Sequence, residues 1–580
     1  YLILEGPELP QYKGDKKTVS GSFTDPTDSS RNFTFTGASI NVQGTSSQYY
    51  ARKNYKVTFK GGFVVGGVTA AKYALRPGAI PVDTFTFKAD VASSEGANNV
   101  ELVRLYNDAC PYQTPPQEAN SAVRQGIDGF PMVIFWRHGD ETTFLGKYNF
   151  NNDKGTPEVY GFAEGDESWE ILNNTSDRVL WKNADFTGDW TGDFEGRYPD
   201  GNTDTTKLAA LAAWLASTDQ SAVTSDADKA ARLAKFKSEL PDHLELQSAL
   251  FYYLFTELFL MVDSRAKNAF PSHLGTDKWC WLPYDFDTAI GTNNEGALVF
   301  GYALEDIDQV GTADVFNGQN SVMWVNLRQA YGPEIAAMYQ NLRSTGKLSY
   351  ALVEEMFETH QAKWPEAIFN EDAYFKYLQP LIEDGTSAYL SMLQGSKAEQ
   401  RKWWLYNRFR YLDAKYNAGD ALTDTITLRG YAKANISVTP YADIYASVKY
   451  GSYLVQKRAL RGSSYVLECP LDSVNDTEIY VYSASQLKAI GDLSGLKVGY
   501  AEFSLATRLQ SLKLGDSAES YSNPNLTELY LGNNRLLTTL DVRNCPNLTM
   551  AVDVSGCTGL EHAYFDGTAI TGLTLPNGGV

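Results

Sequence analysis

The sequence predicts a multidomain α+β protein, in which a β-rich lobe and a helical lobe precede a small β-sandwich-like domain and a short leucine-rich-repeat solenoid. Three patterns carry this reading. Apolar and polar residues alternate around Gly and Ser turns in the N-terminal part, the period of half-buried strands. From about residue 205 apolar side chains recur every three or four positions, the period of a helix. From about residue 484 the pattern L-x-x-L-x-L recurs every ten to twelve residues. With 580 residues, 43% of them hydrophobic and 21% charged, the chain is a folded protein too long for one core.

Taken in order, residues 1–34 read as an N-terminal extension and 35–420 as one domain. Its β-rich lobe covers about 35–160, with strands in "FTFTGASINVQG", "NYKVTFK", "DTFTFKAD", "FPMVIFW" and "FLGKYNF" and a helix at about 96–108. A Gly-, Asp- and Trp-rich insertion follows at about 151–204. The helical lobe covers about 205–420, through "TTKLAALAAWLAS", "DADKAARLAKFKSEL", "HLELQSALFYYLFTELFLMV" and a second block at about 322–417. Short strands and turns at 421–483 make the small β domain, and 484–580 the repeats. Asn534, Cys545, Cys557 and Thr568 each fall three residues after the last apolar position of a unit. That slot caps the turning backbone of a repeat, so Cys545 and Cys557 are expected in the core.

Composition narrows the partners. A net charge of −20 repels phosphate backbones and anionic lipid, which disfavours nucleic acid and membrane surfaces as partners and leaves room for a local basic nucleotide pocket. Five cysteines without a C-x-x-C pair and five scattered His residues indicate neither a disulfide framework nor a zinc site. The longest apolar run, 250–262, is too short to span a membrane and carries Glu257. The 36 Tyr residues suit either exposed recognition surfaces or strand packing. The chain starts at Tyr1 without Met, so a leader or preceding domain is not visible in it.

The chemistry concentrates in "FLMVDSRAKNAFPSHLGTDKWCWLPYDFDTAIG". Asp263 and Asn268 stand as D-x-x-x-x-N after a long apolar helix. Two strand-like runs follow, then Asp285-Phe286-Asp287 and Gly291. In that order, one Asp can take a hydroxyl proton while an Asn and a later Asp hold metal ions, the arrangement of phosphoryl transfer. Carboxylate and amide oxygens are the hard ligands that Mg²⁺ with nucleotide phosphates requires. The N-terminal part offers a strand–turn–strand flap at Gly44-Thr45-Ser46-Ser47, with Lys53 and Lys56 beyond it. Lys88 ends the strand "FTFK" ahead of a helix bearing Glu95 and Glu101, and is the candidate phosphate-clamping lysine with one of these acids as partner. Gly44, Ser46, Ser47, Lys53 and Lys56 are candidate nucleotide contacts.

"VQGTSSQYYARKNYKVTF" resembles the R-G-x-S-S…K-K-S-Y-K element of the CotH kinase family, related to spore-coat protein H. "MVDSRAKN" and "WLPYDFDTAIG" resemble that family's W-D-x-x-x-x-N and P-W-D-x-D-x-x-x-G elements, and the resemblance spans roughly residues 35–415. It implies an atypical, two-lobed protein-kinase-like domain that phosphorylates Ser, often on coat or surface proteins, using ATP with Mg²⁺ or Mn²⁺. It makes Asp263 the catalytic base and Asp285 and Asp287 metal ligands, alongside Asn268. Three positions depart from the pattern: Tyr284 replaces a Trp, Gln43 an Arg, and Val262 precedes Asp263 where typical protein kinases have Arg. Gln43 cannot neutralise phosphate charge as an Arg would.

The phrases "VQGTSSQYY" and "GKYNFNNDKG", with the repeat tail, also resemble large virion proteins of phages of gut bacteria. The expected function is therefore a structural or adhesive component of a phage tail region or bacterial surface. It would sit in a larger assembly and bind other virion or surface proteins through its repeats. The alternative is an active secreted or injected Ser/Thr kinase. The Trp/Asp-rich stretch at 165–200 suits glycan binding or plain packing.

Overall fold

The computed structural model describes all residues except 45–46, 50–51, 91–95, 173–185, 187–188, 262, 266, 293–301, 303–320, 366–396, 417, 419–423, 442–443, 452, 460, 470–475, 492, 518–522 and 577–580. The described residues separate into two compact units, one ending at residue 419 and the other starting at 420.

The first unit opens on nine strands: β1 (Leu2–Glu5), β2 (Lys16–Phe23), β3 (Phe33–Gln43), β4 (Asn54–Thr58), β5 (Phe63–Val65), β6 (Val68–Ala70), β7 (Thr84–Lys88), β8 (Gly129–His138) and β9 (Glu141–Asn152). Seven of them pair in the order β2-β1-β8-β9-β7-β4-β3, and β3 returns to β2, closing a barrel. Only the β1–β8 pair in this ring is parallel. The barrel fills with rings: Phe33 lies 5.2 Å from Phe63 and 5.3 Å from Phe23, and Phe85 lies 4.8 Å from Phe150. Close strand approach fixes Gly21, where a Cβ would stand 2.0 Å from the Ile3 carbonyl oxygen. Residues 1–34, expected as an extension, supply two staves of this barrel, because β2 pairs with the next strand β3 and β1 finds a partner far along the chain in β8.

Nine α-helices stand among the described residues: α1 (Asn98–Ala109), α2 (Pro115–Ala119), α3 (Pro157–Tyr160), α4 (Thr206–Ser217), α5 (Asp226–His243), α6 (Leu246–Leu258), α7 (Val322–Ser344), α8 (Tyr350–Gln361) and α9 (Lys397–Lys415). Interleaved with them are β10 (Glu167–Ile171), β11 (Phe194–Tyr198), β12 (Ala269–His273) and β13 (Trp279–Pro283), a four-stranded sheet in the order β11-β10-β12-β13. From Ser248 to Leu258 helix α6 is buried on every side. That is why its sequence is apolar without a polar face. It docks on β13, where the Trp281 amide donates to Ser248 Oγ at 2.9 Å.

The second unit is β throughout. It contains β14 (Thr425–Gly430), β15 (Ile436–Pro440), β16 (Ile444–Tyr450), β17 (Tyr453–Ala459), β18 (Tyr465–Leu467), β19 (Thr477–Tyr482), β20 (Leu487–Gly491), β21 (Tyr500–Glu502), β22 (Ser511–Lys513), β23 (Glu528–Tyr530), β24 (Thr539–Asp541), β25 (Ala551–Asp553), β26 (His562–Tyr564) and β27 (Gly572–Thr574). Two six-stranded sheets run β17-β16-β19-β14-β21-β23 and β18-β15-β20-β22-β24-β26, with β25 and β27 as a separate pair. One continuous apolar cluster from Ile426 to Leu560 lies within this unit and includes Cys545 and Cys557.

These observations correct the expected fold class. Among the described residues 27 strands stand against nine α-helices, so the chain is mostly β. The N-terminal strands form a closed barrel in place of an open β-rich lobe. Among the described residues no helical kinase lobe forms either: helices arise where the three-to-four spacing indicated them, but the sheet β10–β13 is interleaved with them and packs on α6 through β13. Nor do the repeats build a leucine-rich-repeat solenoid. From β20 to β24 successive strands alternate between the two sheets, β25 and β27 pair separately, and the two sheets also hold the strands expected as a separate sandwich.

Candidate functional site

The segment from Asp263 to Asp287 is held by buried neighbours on each side. Before it, Arg265 donates to Thr256 Oγ1 at 2.8 Å and to the Tyr253 carbonyl at 2.9 Å, and the Tyr252 hydroxyl donates to the Ser264 carbonyl. The Asn268 amide then donates to the Ile171 carbonyl at 3.0 Å and starts the β12–β13 hairpin. At its far end Phe286 packs 5.8 Å from Phe255 of α6 and 6.1 Å from Tyr106 of α1. Burying the central ring of the Asp-Phe-Asp run leaves the two flanking carboxyls to be placed by polar partners.

Those partners come from the barrel and from α1. Lys88, the last residue of β7, brings Nζ to 2.7 Å from Asp285 Oδ1, and both side chains are largely buried. Asn99 donates to the same oxygen at 3.0 Å, and Asn98 donates to the Asp287 carbonyl at 3.1 Å. Both Asn residues open α1, whose N-terminal end favours negative charge. Asp263 accepts from Asn268 Nδ2 at 3.0 Å and has Lys267 at 3.9 Å. Asp285 and Asn268 share a φ of +54° and Asp90 has +44°, the left-handed region that Asn and Asp tolerate best among side-chain-bearing residues. Such strain persists only where the surroundings impose it.

Charge is crowded here. Burial pushes the Asp263 carboxyl up to about 7, with Asp285 adding to the rise and Lys267 opposing it. Burial likewise lifts Asp90 to about 6, against the pull of Lys88. Asp287 lies well above the carboxylate range through burial and the charge of Asp285. Burial would raise Asp285 too, yet Lys88 holds it below its ordinary value. Lys88 itself stays charged: desolvation works against it, but Asp285 raises it well above an ordinary lysine. The site thus has one firmly ionised carboxylate, one acid poised near neutrality, and more acidic groups than cations touching them.

The flap residues are placed nearby. Gly44, at φ +104°, makes a turn in which any Cβ would meet Ser47 Oγ at 1.9 Å. Ser47 Oγ accepts from Asn54 Nδ2 at 3.3 Å, and Asn54 Oδ1 accepts from the Ala89 amide at 2.7 Å, tying the turn to the residue after Lys88. Lys53 donates to the Gln48 carbonyl at 2.9 Å. Lys56 pairs with buried Asp153 at 2.9 Å, and Gln43 donates to the same carboxylate at 3.4 Å. Ser46, Glu95 and Val262 lie outside the described residues. Glu101 is not the partner of Lys88. It pairs with Arg104 at 2.8 Å and with His360 Nδ1 at 2.8 Å, because its place on α1 turns it towards α8.

Sequence reasoning missed Asp90, Asn98, Asn99 and Phe286. The Asn-Asn pair just ahead of an apolar helical run was a usable signal for a polar helix start. Asp90, two residues after Lys88, carried none.

Oxygen chemistry fits a hard divalent cation. Among the described residues no three His, Cys, Asp or Glu side chains come together as a metal cage. Mg²⁺ seldom uses one: it takes one or two carboxylates and completes its shell with water and phosphate. Asp285 and Asp287, with the amide oxygen of Asn268, meet that requirement. The buried Asp263 Oδ1 has no hydrogen-bond partner among the described residues.

Residues 158–367 match the family described as CotH kinase protein. The matched stretch contains Asp263, Asn268, Asp285 and Asp287, and it begins beyond the barrel residues Gly44 and Lys88. No curated protein matches the chain.

Proposed function

We propose that this chain, through its CotH kinase domain, transfers the terminal phosphoryl group of ATP to Ser or Thr hydroxyls of coat or surface proteins. The observation that carries the reading is the 2.7 Å contact of Lys88 with Asp285. It joins a barrel lysine to the Asp-Phe-Asp segment, and it sits beside an acid near its half-ionised point. In the transfer, the acceptor oxygen bonds to the γ-phosphorus, the bond to the β,γ-bridging oxygen breaks and ADP leaves. Asp263 accepts the hydroxyl proton, a task suited to a group of pKa near the working pH. Lys88 supplies positive charge to the phosphates while keeping Asp285 oriented, Asn99 holds the Asp285 carboxylate and Asn98 the Asp287 carbonyl. Mg²⁺ or Mn²⁺, when bound by Asp285, Asp287 and Asn268, neutralises phosphate charge. The link from Ser47 through Asn54 to Ala89 supports Gly44 and Ser47 as parts of a flap over the phosphates.

Incubation of the purified full chain with labelled ATP and Mg²⁺ or Mn²⁺ tests this. Label on the protein that is lost in Asp263→Asn and Asp285→Asn supports the reading. Wild-type protein that neither binds nucleotide nor takes up label refutes it.

A second reading has its own observation. On β21 and β23 the rings of Tyr500 and Tyr530 stand 5.7 Å apart, with Glu502 and Glu528 in register beside them. Tyr530 is exposed. Such a face suits protein recognition. On this reading the second unit attaches the chain to other proteins of a phage tail or cell surface, and the site upstream acts there or is merely carried. Loss of particle or surface attachment on deleting 420–580 is the expected result; attachment that survives the deletion removes this reading.

A further inference from the structure

Lys154, two residues beyond β9, is a partly buried cation that the transfer step above does not use. Its Nζ donates to both oxygens of Glu170 at 2.7 Å. It lies 4.5 Å from the centre of the Tyr284 ring and 6.0 Å from that of Phe270. Tyr284 directly precedes Asp285, and Lys88 Nζ stands 5.7 Å from the centre of the same ring. Two lysines, one from β7 and one from beyond β9, therefore approach the same aromatic ring at the threshold of the carboxylates.

Glu170 has a second cation. Arg197 of β11 also donates to it, and reaches the exposed Glu195 at 2.6 Å on its outer side. If Lys154 turns away, the buried Glu170 carboxylate keeps a guanidinium partner and is not left as an isolated charge. Lys56 is differently placed, as it serves buried Asp153. Gln43, which also donates to Asp153, brings no charge to the flap. A polyphosphate bound over Lys88 therefore gains no charge from Gln43, and Lys56 is already paired.

We propose that Lys154 is the second phosphate-binding lysine of this site, moving from Glu170 to the polyphosphate along the Tyr284 ring and replacing the charge that Gln43 does not supply. The proposal rests on the reading of the site as an ATP-dependent phosphoryl-transfer centre. The Tyr284 face holds the ammonium by cation–π attraction in both positions, and Arg197 retains Glu170. Lys154 binds and positions phosphate; it takes no proton.

Calorimetric titration of the full chain with ATP and Mg²⁺, and with adenosine, tests the assignment. Lys154→Met is expected to weaken ATP binding about tenfold or more, equivalent to ~1.4 kcal/mol, and to leave adenosine binding unchanged. Lys154→Arg retains most of the ATP affinity. Glu170→Gln, which loosens the hold on Lys154 while keeping the side-chain volume, tightens ATP binding. Equal ATP affinity in wild type and Lys154→Met overturns the assignment while leaving the phosphoryl-transfer reading intact. So does a Glu170→Gln variant that loses ATP affinity, since that marks the pair as structural. Wild-type protein that binds adenosine and ATP alike, or neither, overturns the underlying reading and this assignment with it.

Discussion

The side-chain amide of Asn268 donates to Asp263 Oδ2 at 3.0 Å, while the buried Oδ1 of the same carboxylate has no partner among the described residues. Asp263 is thus held in place by a neutral group and left without full compensation for its charge.

This has a consequence for stability. The folded carboxyl titrates near 7 and the unfolded one near 3.8, so the fold binds the proton more tightly. Stability is greatest below the unfolded value and is lost as pH rises through about 7, at ~1.4 kcal/mol for each unit crossed. Asp263→Asn keeps the bond to Asn268 and removes the ionisation. It is expected to melt higher than wild type at about pH 8, by up to a few kcal/mol, and nearly alike at about pH 4. Thermal melts at both pH values measure this.

Lys88 and Asp285 form a largely buried pair with Asp287 close by. Replacing Lys88 alone with Met leaves a buried carboxylate without its cation, at a cost of about 3 kcal/mol. Lys88→Met with Asp285→Asn should recover most of that loss. Urea denaturation of both single variants and the double variant gives the coupling, and additive losses would mean the pair contributes nothing.

His273, on β12 against Trp279, has its imidazole pushed down to about 4 by burial, with Lys207 adding to the effect. The unfolded chain therefore takes up the proton first as pH falls. The contribution is fully present above the ordinary histidine value of about 6.5 and declines towards about 4. Buried His360 shifts in the same direction. His273→Phe is expected to remove this loss, so its denaturation midpoint gains on that of wild type as pH falls from about 7 to about 4.

Truncation probes the second unit. β14 pairs with β21, and β15 with β20, so backbone bonds cross residue 484. A chain ending at 483 leaves these strands with open edges and should be degraded back towards residue 419 by limited proteolysis. A chain ending at 419 should resist the same treatment. Equal resistance of residues 420–483 in the longer fragment would make that segment an independent domain.

Parts of this architecture are legible in the sequence because they depend on near neighbours. The apolar run of α6, the hairpin β12–β13 and the order D-x-x-x-x-N then D-x-D are set by periodicity and spacing. The same holds for Asn534: its Nδ2 donates to the Phe503 and Ala506 carbonyls at 2.9 Å, as its slot in the repeat implies. Periodicity does not tell a strand which partner it takes. β1 and β2 could not be recognised as barrel staves, since their partners β8 and β3 are chosen by closure of the whole ring. The alternation of repeat units between two sheets was hidden for the same reason.

By itself, then, the sequence determined which residues alternate, which follow the helical period and which acids stand at chemically useful spacing, because these follow from the local geometry of the chain. Only the tertiary structure decided that the N-terminal strands close into a barrel, that Lys88 meets Asp285 in place of Glu101, and that Asn98, Asn99 and Lys154 converge on the same loop. Contacts between residues far apart in sequence depend on what must be buried together, and no local pattern encodes that.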